Sequence, residues 1–186
     1  MAALLVVHHT TSPALDELLA AVLAGAGADG IEGVDVTVRP ALSATVPDVL
    51  AADGLLLGTP ANIGYMSGAL KHFFDQIYYP CRLAKAGAPY GLYVHGNSDT
   101  AGAVRAVETI ATGLSWERVH QPVSVLGAPT AADREACWDL GATVAARDRG
   151  CGHCSQRPQS SRICWISRSG APLGSGAGWA ASDICS

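Results

Sequence analysis

Charged and aromatic residues are both scarce in this chain: Asp, Glu, Lys and Arg make up 15% of its 186 residues, and Phe, Trp and Tyr make up 6%. With 49% apolar residues, this composition excludes a disordered chain and indicates a globular one with a substantial core. No apolar run approaches the roughly 18 residues of a membrane span. No basic segment precedes the apolar N-terminus, so we expect no signal peptide and a cytoplasmic protein. The net charge of −4 argues against nucleic acid as a partner.

Several motifs of α/β enzymes are also missing. No Gly-x-Gly-x-x-Gly follows the first apolar segment, which disfavours a dinucleotide-binding fold, and no Gly-x-x-x-x-Gly-Lys is present, which excludes a P-loop enzyme. Residues 64–68 miss the Gly-x-Ser-x-Gly nucleophile elbow by one position. The chain therefore has no sequence signature of nucleophilic or nucleoside-triphosphate chemistry.

The last part of the chain differs from the rest in composition and charge. Residues 1–147 carry 8 basic and 14 acidic side chains, whereas residues 148–186 carry 4 and 2 and are rich in Ser and Gly without any regular periodicity. Four of the six cysteines also lie there: Cys151, Cys154, Cys164 and Cys185. We predict a folded domain over 1–147 and an irregular tail over 148–186, disordered or non-homologous. The alternatives are a redox motif at 151–154, which lacks the strand and helix around it that such chemistry needs, and a zinc site with irregular ligand spacing.

Apolar segments typical of buried strands alternate with segments of helical periodicity along the body of the chain. Strands are predicted at residues 3–7, 34–38, 55–57, 90–94 and 119–125. Helical stripes are predicted over residues 15–23, 66–77, 104–114 and 137–144. This alternation predicts a doubly wound α/β fold with a five-stranded parallel sheet.

The composition of the strands predicts their order. The second strand alternates apolar and polar residues, and Pro122 interrupts the fifth, so both are expected at the edges of the sheet. The fully apolar strands lie inside, which gives the order 2-1-3-4-5. In such a sheet, ligands bind beyond the carboxyl ends of the strands, at the switch point between strands one and three.

Three loops are expected to meet at that edge: residues 8–13, 58–68 and 95–102. The first places hydroxyls at the start of a helix, which suits an anion, although Asp16 and Glu17 are equally typical of an ordinary capped helix. The second combines Gly, Pro and Asn over eleven residues, a length that is often functional. The third is again small and polar.

Thr59-Pro60, followed by Gly64, Met66-Ser67-Gly68, Leu70-Lys71, Phe73-Phe74 and Asp75, resembles the flavin loop and the following helix of flavodoxin-like FMN proteins. The NAD(P)H-dependent FMN reductases and quinone reductases are the most similar group. The resemblance covers about residues 3–147 and implies a flavodoxin-like fold.

The resemblance also implies a cofactor site. The FMN phosphate would be lined by Thr10, Thr11, Ser12 and Ala14. One side of the flavin ring would be contacted by Thr59, Pro60, Ala61, Asn62, Ile63 and Gly64. The other side of the ring would be closed by His95, Gly96 and Asn97.

The activity implied by this resemblance is hydride transfer from NADPH or NADH through bound FMN to a small-molecule acceptor such as a quinone or a free flavin. The chemistry is carried by the flavin, so no catalytic side chain and no metal are expected. Two alternatives stay open: a flavodoxin-type electron carrier without a pyridine nucleotide site, and a non-catalytic ligand-binding member. We expect no membrane partner, and the sequence leaves a homo-oligomer open.

Overall fold

Strands and helices alternate along residues 1–148, which are the residues that this computed structural model describes. The strands are β1 (Ala2–His8), β2 (Val34–Pro40), β3 (Gly54–Asn62), β4 (Tyr65–Met66), β5 (Pro89–Gly96), β6 (Glu117–Arg118) and β7 (Val123–Leu126). The helices are α1 (Pro13–Ala26), α2 (Val46–Ala51), α3 (Gly68–Cys81), α4 (Ala101–Gly113) and α5 (Ala131–Asp148). Within this range no helix has both the length and the hydropathy needed to cross a membrane.

The main sheet is parallel and confirms the predicted strand order. β2 pairs with β1, β1 with β3, and β3 with β5, while both β6 and β7 pair with β5 at the far edge. The predicted fifth strand over 119–125 is wrong in its extent, because it is split into β6 and β7. Pro122 has no N–H to donate to a ladder, and the strand resumes only at Val123.

Each face of the sheet is covered by its own layer of helices. Successive residues of β3 alternate between the two cores: Leu55 and Leu57 pack with α3 and α4 side chains, and Leu56 packs with those of α1 and α5. All three leucines are fully buried. The continuous apolar runs that predicted interior strands therefore reflect burial on both faces.

Two helices depart from the predicted pattern. Helix α2 was not predicted, because its six residues are too few to show a helical stripe. It begins with a capping box, in which the Thr45 N–H and hydroxyl donate to Asp48 Oδ2 at 2.8 and 2.6 Å. These hydrogen bonds, with the Thr45 side chain foremost, hold the pKa of Asp48 below its usual value. Helix α3 begins at Gly68 and not at Met66, which belongs to β4.

The second predicted loop is a β-hairpin. β3 continues to Asn62 and pairs antiparallel with β4, Ala61 opposite Met66 and Asn62 opposite Tyr65. The two residues of the turn, Ile63 and Gly64, have φ values of 50° and 72°. Positive φ at both positions is typical of the type I′ turn that suits the twist of a hairpin, but it is strained for a β-branched residue. The Ile63 side chain is fully exposed at the tip.

Helices α1 and α5 pack with their backbones in close contact through two glycines. A Cβ at Gly25 would lie 1.9 Å from the carbonyl oxygen of Trp138, and one at Gly141 would lie 2.1 Å from that of Val22. No flexible side chain can move aside at either position. The separation of these helices therefore depends on the absence of both Cβ atoms.

We expect Gly141→Ala to lower the free energy of unfolding by about 1–3 kcal/mol, because the new methyl group must force the two backbones apart. Urea denaturation followed by circular dichroism measures the change. Gly68→Ala is the matched control, since a Cβ there meets no atom within 4 Å. Equal stability of the two variants would contradict the close helix contact.

We expect Ile63→Asn to raise the free energy of unfolding by about 1 kcal/mol, because Asn tolerates the left-handed conformation and Asn-Gly is the favoured type I′ pair. The same denaturation experiment measures it. Leu83→Asn replaces another largely exposed aliphatic side chain, one without a positive φ, and should leave stability nearly unchanged. A loss of stability in Ile63→Asn would argue against strain at the turn.

Candidate functional site

The three predicted loops lie at one edge of the sheet because the strands before them pair in register. His8 lies opposite Gly58 and Pro60 opposite His95, and the His9 N–H donates to the Gly58 carbonyl oxygen at 2.9 Å. The carboxyl ends of β1, β3 and β5 are thereby held side by side. All the predicted cofactor-binding residues are thus on this edge or in the hairpin and helix start that follow it.

The first loop presents unpaired backbone donors at the start of α1. Ser12 is the N-cap, and its Oγ accepts the Leu15 N–H at 3.4 Å. Within residues 1–148, no protein acceptor binds the N–H groups of the four predicted phosphate-binding residues, Thr10, Thr11, Ser12 and Ala14. These donors, together with exposed or half-buried hydroxyls, fit an anion at the positive end of a helix. No Lys or Arg lies in the loop, and Asp16 in the first turn reduces the local positive potential.

A histidine supports this loop from the end of β1. His8 Nδ1 lies 2.8 Å from the Thr10 hydroxyl oxygen, so the two side chains share a hydrogen bond. The pKa of His8 is lowered below its usual value, mainly by burial and against the opposing effect of the Asp16 carboxylate. The neighbouring His9 Nδ1 is buried and has no hydrogen-bond partner in the described part of the chain.

The base of the hairpin is rigid, and its tip is open to solvent. Thr59 and Pro60 are buried; the Thr59 hydroxyl donates to the Pro60 carbonyl oxygen and accepts the Ser67 N–H, both at 3.0 Å. Ser67 in turn caps α3, its Oγ accepting the Leu70 N–H at 3.2 Å. Ala61 is half-buried. The remaining predicted residues of this loop are exposed: Asn62, Ile63 and Gly64.

The third loop is held by contacts with Gly127, the residue that directly follows β7. His95 is buried, and its Nε2 lies 2.7 Å from the Gly127 carbonyl oxygen, while the Gly127 N–H donates to Gly96 at 2.9 Å. A Cβ at Gly96 would lie 2.8 Å from the backbone oxygen of Asp99, so the tight bend needs glycine there. Asn97 is exposed at the rim.

The hairpin contacts the start of α4 at Gly102, which was predicted at the end of the third loop but not among the cofactor-binding residues. A Cβ at Gly102, in the first turn of α4, would lie 2.0 Å from the Gly64 carbonyl oxygen, so the turn of the hairpin lies directly on this helix. Glycine is about 1 kcal/mol less favourable than Ala within a helix. A glycine in the first turn of α4 therefore indicates that a Cβ is not tolerated at that position. Gly102 thus positions the hairpin beside the third loop.

The arrangement suits a ligand with an anionic group and a flat ring. The α1 start supplies donors for an anion, and the hairpin and the third loop form two walls beside it. In the described chain no three His, Cys, Asp or Glu side chains are grouped as metal ligands. Cys81 and Cys137 are buried, and burial raises the pKa of both thiols, that of Cys137 to about 12, so neither is an activated nucleophile. The redox and zinc alternatives at 151–164 lie outside the described residues.

The comparisons with known proteins point to one fold. No family model matches the chain. A flavodoxin from Aquifex aeolicus is 38% identical over 77 residues, which are 41% of this chain and 40% of that protein. The chain thus matches less than half the length of this curated relative.

Solved structures match over more of the chain at lower identity. An archaeal flavodoxin superposes with a TM-score of 0.66 at 17% identity, covering 79% of this chain and 99% of the other. The flavodoxin, WrbA-like protein from Agrobacterium tumefaciens superposes with a TM-score of 0.65 at 18% identity, covering 81% and 99%. Together with the strand order, these matches identify the fold of the chain as flavodoxin-like.

Proposed function

We propose that the chain binds FMN at the carboxyl edge of its sheet and acts as an FMN-dependent oxidoreductase, taking a hydride from NADPH or NADH and reducing a small acceptor such as a quinone or a free flavin. The observation that carries this proposal is the convergence of a helix start with unpaired N–H groups, the hairpin and the third loop at one switch point. We place this activity in the cytoplasm, with no nucleic acid or membrane partner.

The first loop is proposed to hold the phosphate group. The four unpaired N–H groups of this loop would donate to phosphate oxygens, and the Thr10, Thr11 and Ser12 hydroxyls would add donors. Recognition here would rest on neutral donors and the helix dipole, since the loop carries no cation. Such a site binds FMN through its phosphate and discriminates against riboflavin, which lacks it.

The hairpin and the third loop are proposed to hold the flavin ring. The N–H groups of Ile63, Gly64 and Asn97 have no protein acceptor within residues 1–148 and could donate to the polar edge of the ring. The exposed Ile63 side chain would supply apolar contact at the rim. Bound FMN would supply the two-electron chemistry, which explains why no acid–base pair is needed. The exposed hairpin tip leaves the ring open to a small donor or acceptor.

A second candidate function is that of a flavodoxin-type electron carrier, which would exchange electrons with proteins and have no pyridine nucleotide site. It is favoured by one observation: both the curated relative and the archaeal structure are flavodoxins. A third is a non-catalytic protein that binds a related ligand in the same place. The first two share the FMN site and differ in the response to reduced nicotinamide.

The full chain is expected to bind FMN, with quenched flavin fluorescence and absorption bands at about 370 and 450 nm, and to lose the 450 nm band on anaerobic addition of NADPH or NADH. Visible spectroscopy of the purified protein after removal of free FMN measures both steps. If bound flavin keeps its 450 nm band after this addition, the oxidoreductase proposal is contradicted and the electron carrier is favoured. Absence of bound flavin would contradict the FMN site and favour the third candidate.

Ala14→Asp is expected to weaken FMN binding about tenfold or more while leaving riboflavin binding unchanged, because the new carboxylate would face the phosphate group. An acidic residue in the first turn also stabilises a helix, so the variant should fold. Fluorescence titration gives both dissociation constants. Ala20→Asp adds the same charge on an exposed position further along α1 and should leave FMN affinity nearly unchanged. An equal loss of affinity for FMN and for riboflavin would contradict binding of the phosphate group at this loop.

A further inference from the structure

His8 and Thr10 form the only side-chain hydrogen bond that links the described part of β1 to the first loop. His8 is the last residue of β1, lies between Pro40 of β2 and Gly58 of β3, and is half-buried. Thr10 is the first of the hydroxyl residues proposed to face the phosphate. The bond therefore connects a titratable ring to one of the donors of the proposed phosphate site.

The direction of this bond depends on the proton of the ring. In the neutral ring with its proton on Nε2, Nδ1 accepts the Thr10 O–H, and that hydroxyl then has no proton left for a ligand. In the protonated ring Nδ1 can only donate, so the Thr10 oxygen accepts and its O–H is free to point at an anion. Protonation of this tautomer thus frees one donor in a loop that has no Lys or Arg.

We propose that His8 is a positioning residue for the phosphate group, acting through the Thr10 hydroxyl and making FMN binding tighter when its ring is protonated. This inference rests on the proposed FMN site and adds a residue and a pH dependence to it.

The groups that surround His8 come from the neighbouring His9 and from α1, β5 and α5. Burial lowers the pKa of His8, the Asp16 carboxylate on α1 raises it, and His9 lowers it further, so that the pKa lies below its usual value in the protein without a ligand. Behind it, the Tyr93 ring of β5 fills the space where a Cβ of Gly58 would be, with Cys137 of α5 nearby. Burial raises the pKa of the Tyr93 hydroxyl and raises that of Cys137 to about 12, so both stay neutral between pH 5.5 and 8.

The sign of the effect follows from linkage. Because the phosphate favours the protonated ring, binding raises the pKa of His8, and FMN affinity rises as the pH falls through that range. A rise of one pKa unit makes the dissociation constant at most tenfold tighter, and the full factor is reached only below the pKa of His8 in the protein without FMN, so the gain between pH 8 and pH 5.5 is severalfold. The phosphate itself gains a proton near pH 6, so the effect is measured against a variant in which only His8 is changed.

The experiment is a fluorescence titration of the full chain with FMN and with riboflavin at pH 5.5 and pH 8. Relative to His8→Asn, whose amide does not titrate, the unchanged protein is expected to gain about three- to tenfold in FMN affinity between pH 8 and pH 5.5. Riboflavin should show no such gain, because it has no phosphate. His72→Gln, which removes an exposed histidine on α3 that bonds Gln76, is the matched control and should keep the full gain.

Thr10→Val tests whether the pH-dependent gain in FMN affinity depends on the Thr10 hydroxyl or only on attraction between the His8 charge and the phosphate. It keeps His8 and its charge, and it should lose most of the gain if the hydroxyl carries the effect. A full gain in Thr10→Val, an equal gain with riboflavin, or no difference between the unchanged protein and His8→Asn would each overturn the inference while leaving the FMN site intact. Failure of the unchanged chain to bind FMN at either pH would overturn both.

Discussion

The pairing of β3 with both β1 and β5 is the constraint on which the rest of the structure depends. Parallel strands in one sheet end at the same edge, so His8, Pro60 and His95, which are far apart in sequence, are held side by side by backbone hydrogen bonds. The three strands can lie in the middle because their central residues are apolar and buried on both faces. Any ligand site at this edge is therefore determined by the residues that follow the strands, and not by the long segments between them.

Rigidity and exposure are divided between the two ends of the hairpin. Its base is fixed by the buried Thr59 hydroxyl, which bonds Ser67 and so couples β3 to the cap of α3. At its tip, the carbonyl group of Gly64 packs against Gly102, while the side chain of Ile63 is exposed to solvent. An apolar, β-branched residue at positive φ is unfavourable for folding on two counts, its strain and its exposure. Contact with a flat apolar ligand would offset the second of these, which agrees with the proposed position of the flavin ring.

The strands and helices of long, periodic segments could be predicted from the sequence. The turn conformation and the hydrogen bonds between loops could not. The strand order followed from Pro122 and from the alternation in β2. The hairpin was missed because its turn is Ile63-Gly64, without the Asn-Gly or Asp-Gly that normally marks a type I′ turn. The loops of the site could be placed by topology and by resemblance. The hydrogen-bond partners of His8 and His95 could not be predicted, because each partner depends on how the loops pack against one another.

The absence of Lys and Arg from the first loop shapes how an anion could be bound there. A site with a cation is dominated by that charge, and small changes in hydroxyl direction matter little beside it. In this loop the N–H groups of the helix start and a few hydroxyls are the donors, and Asp16 acts against an anion. Each hydrogen bond is then a larger share of the binding free energy. In the proposed FMN site, protonation of His8, which is hydrogen-bonded to Thr10, would for that reason change the affinity more than it would beside an arginine.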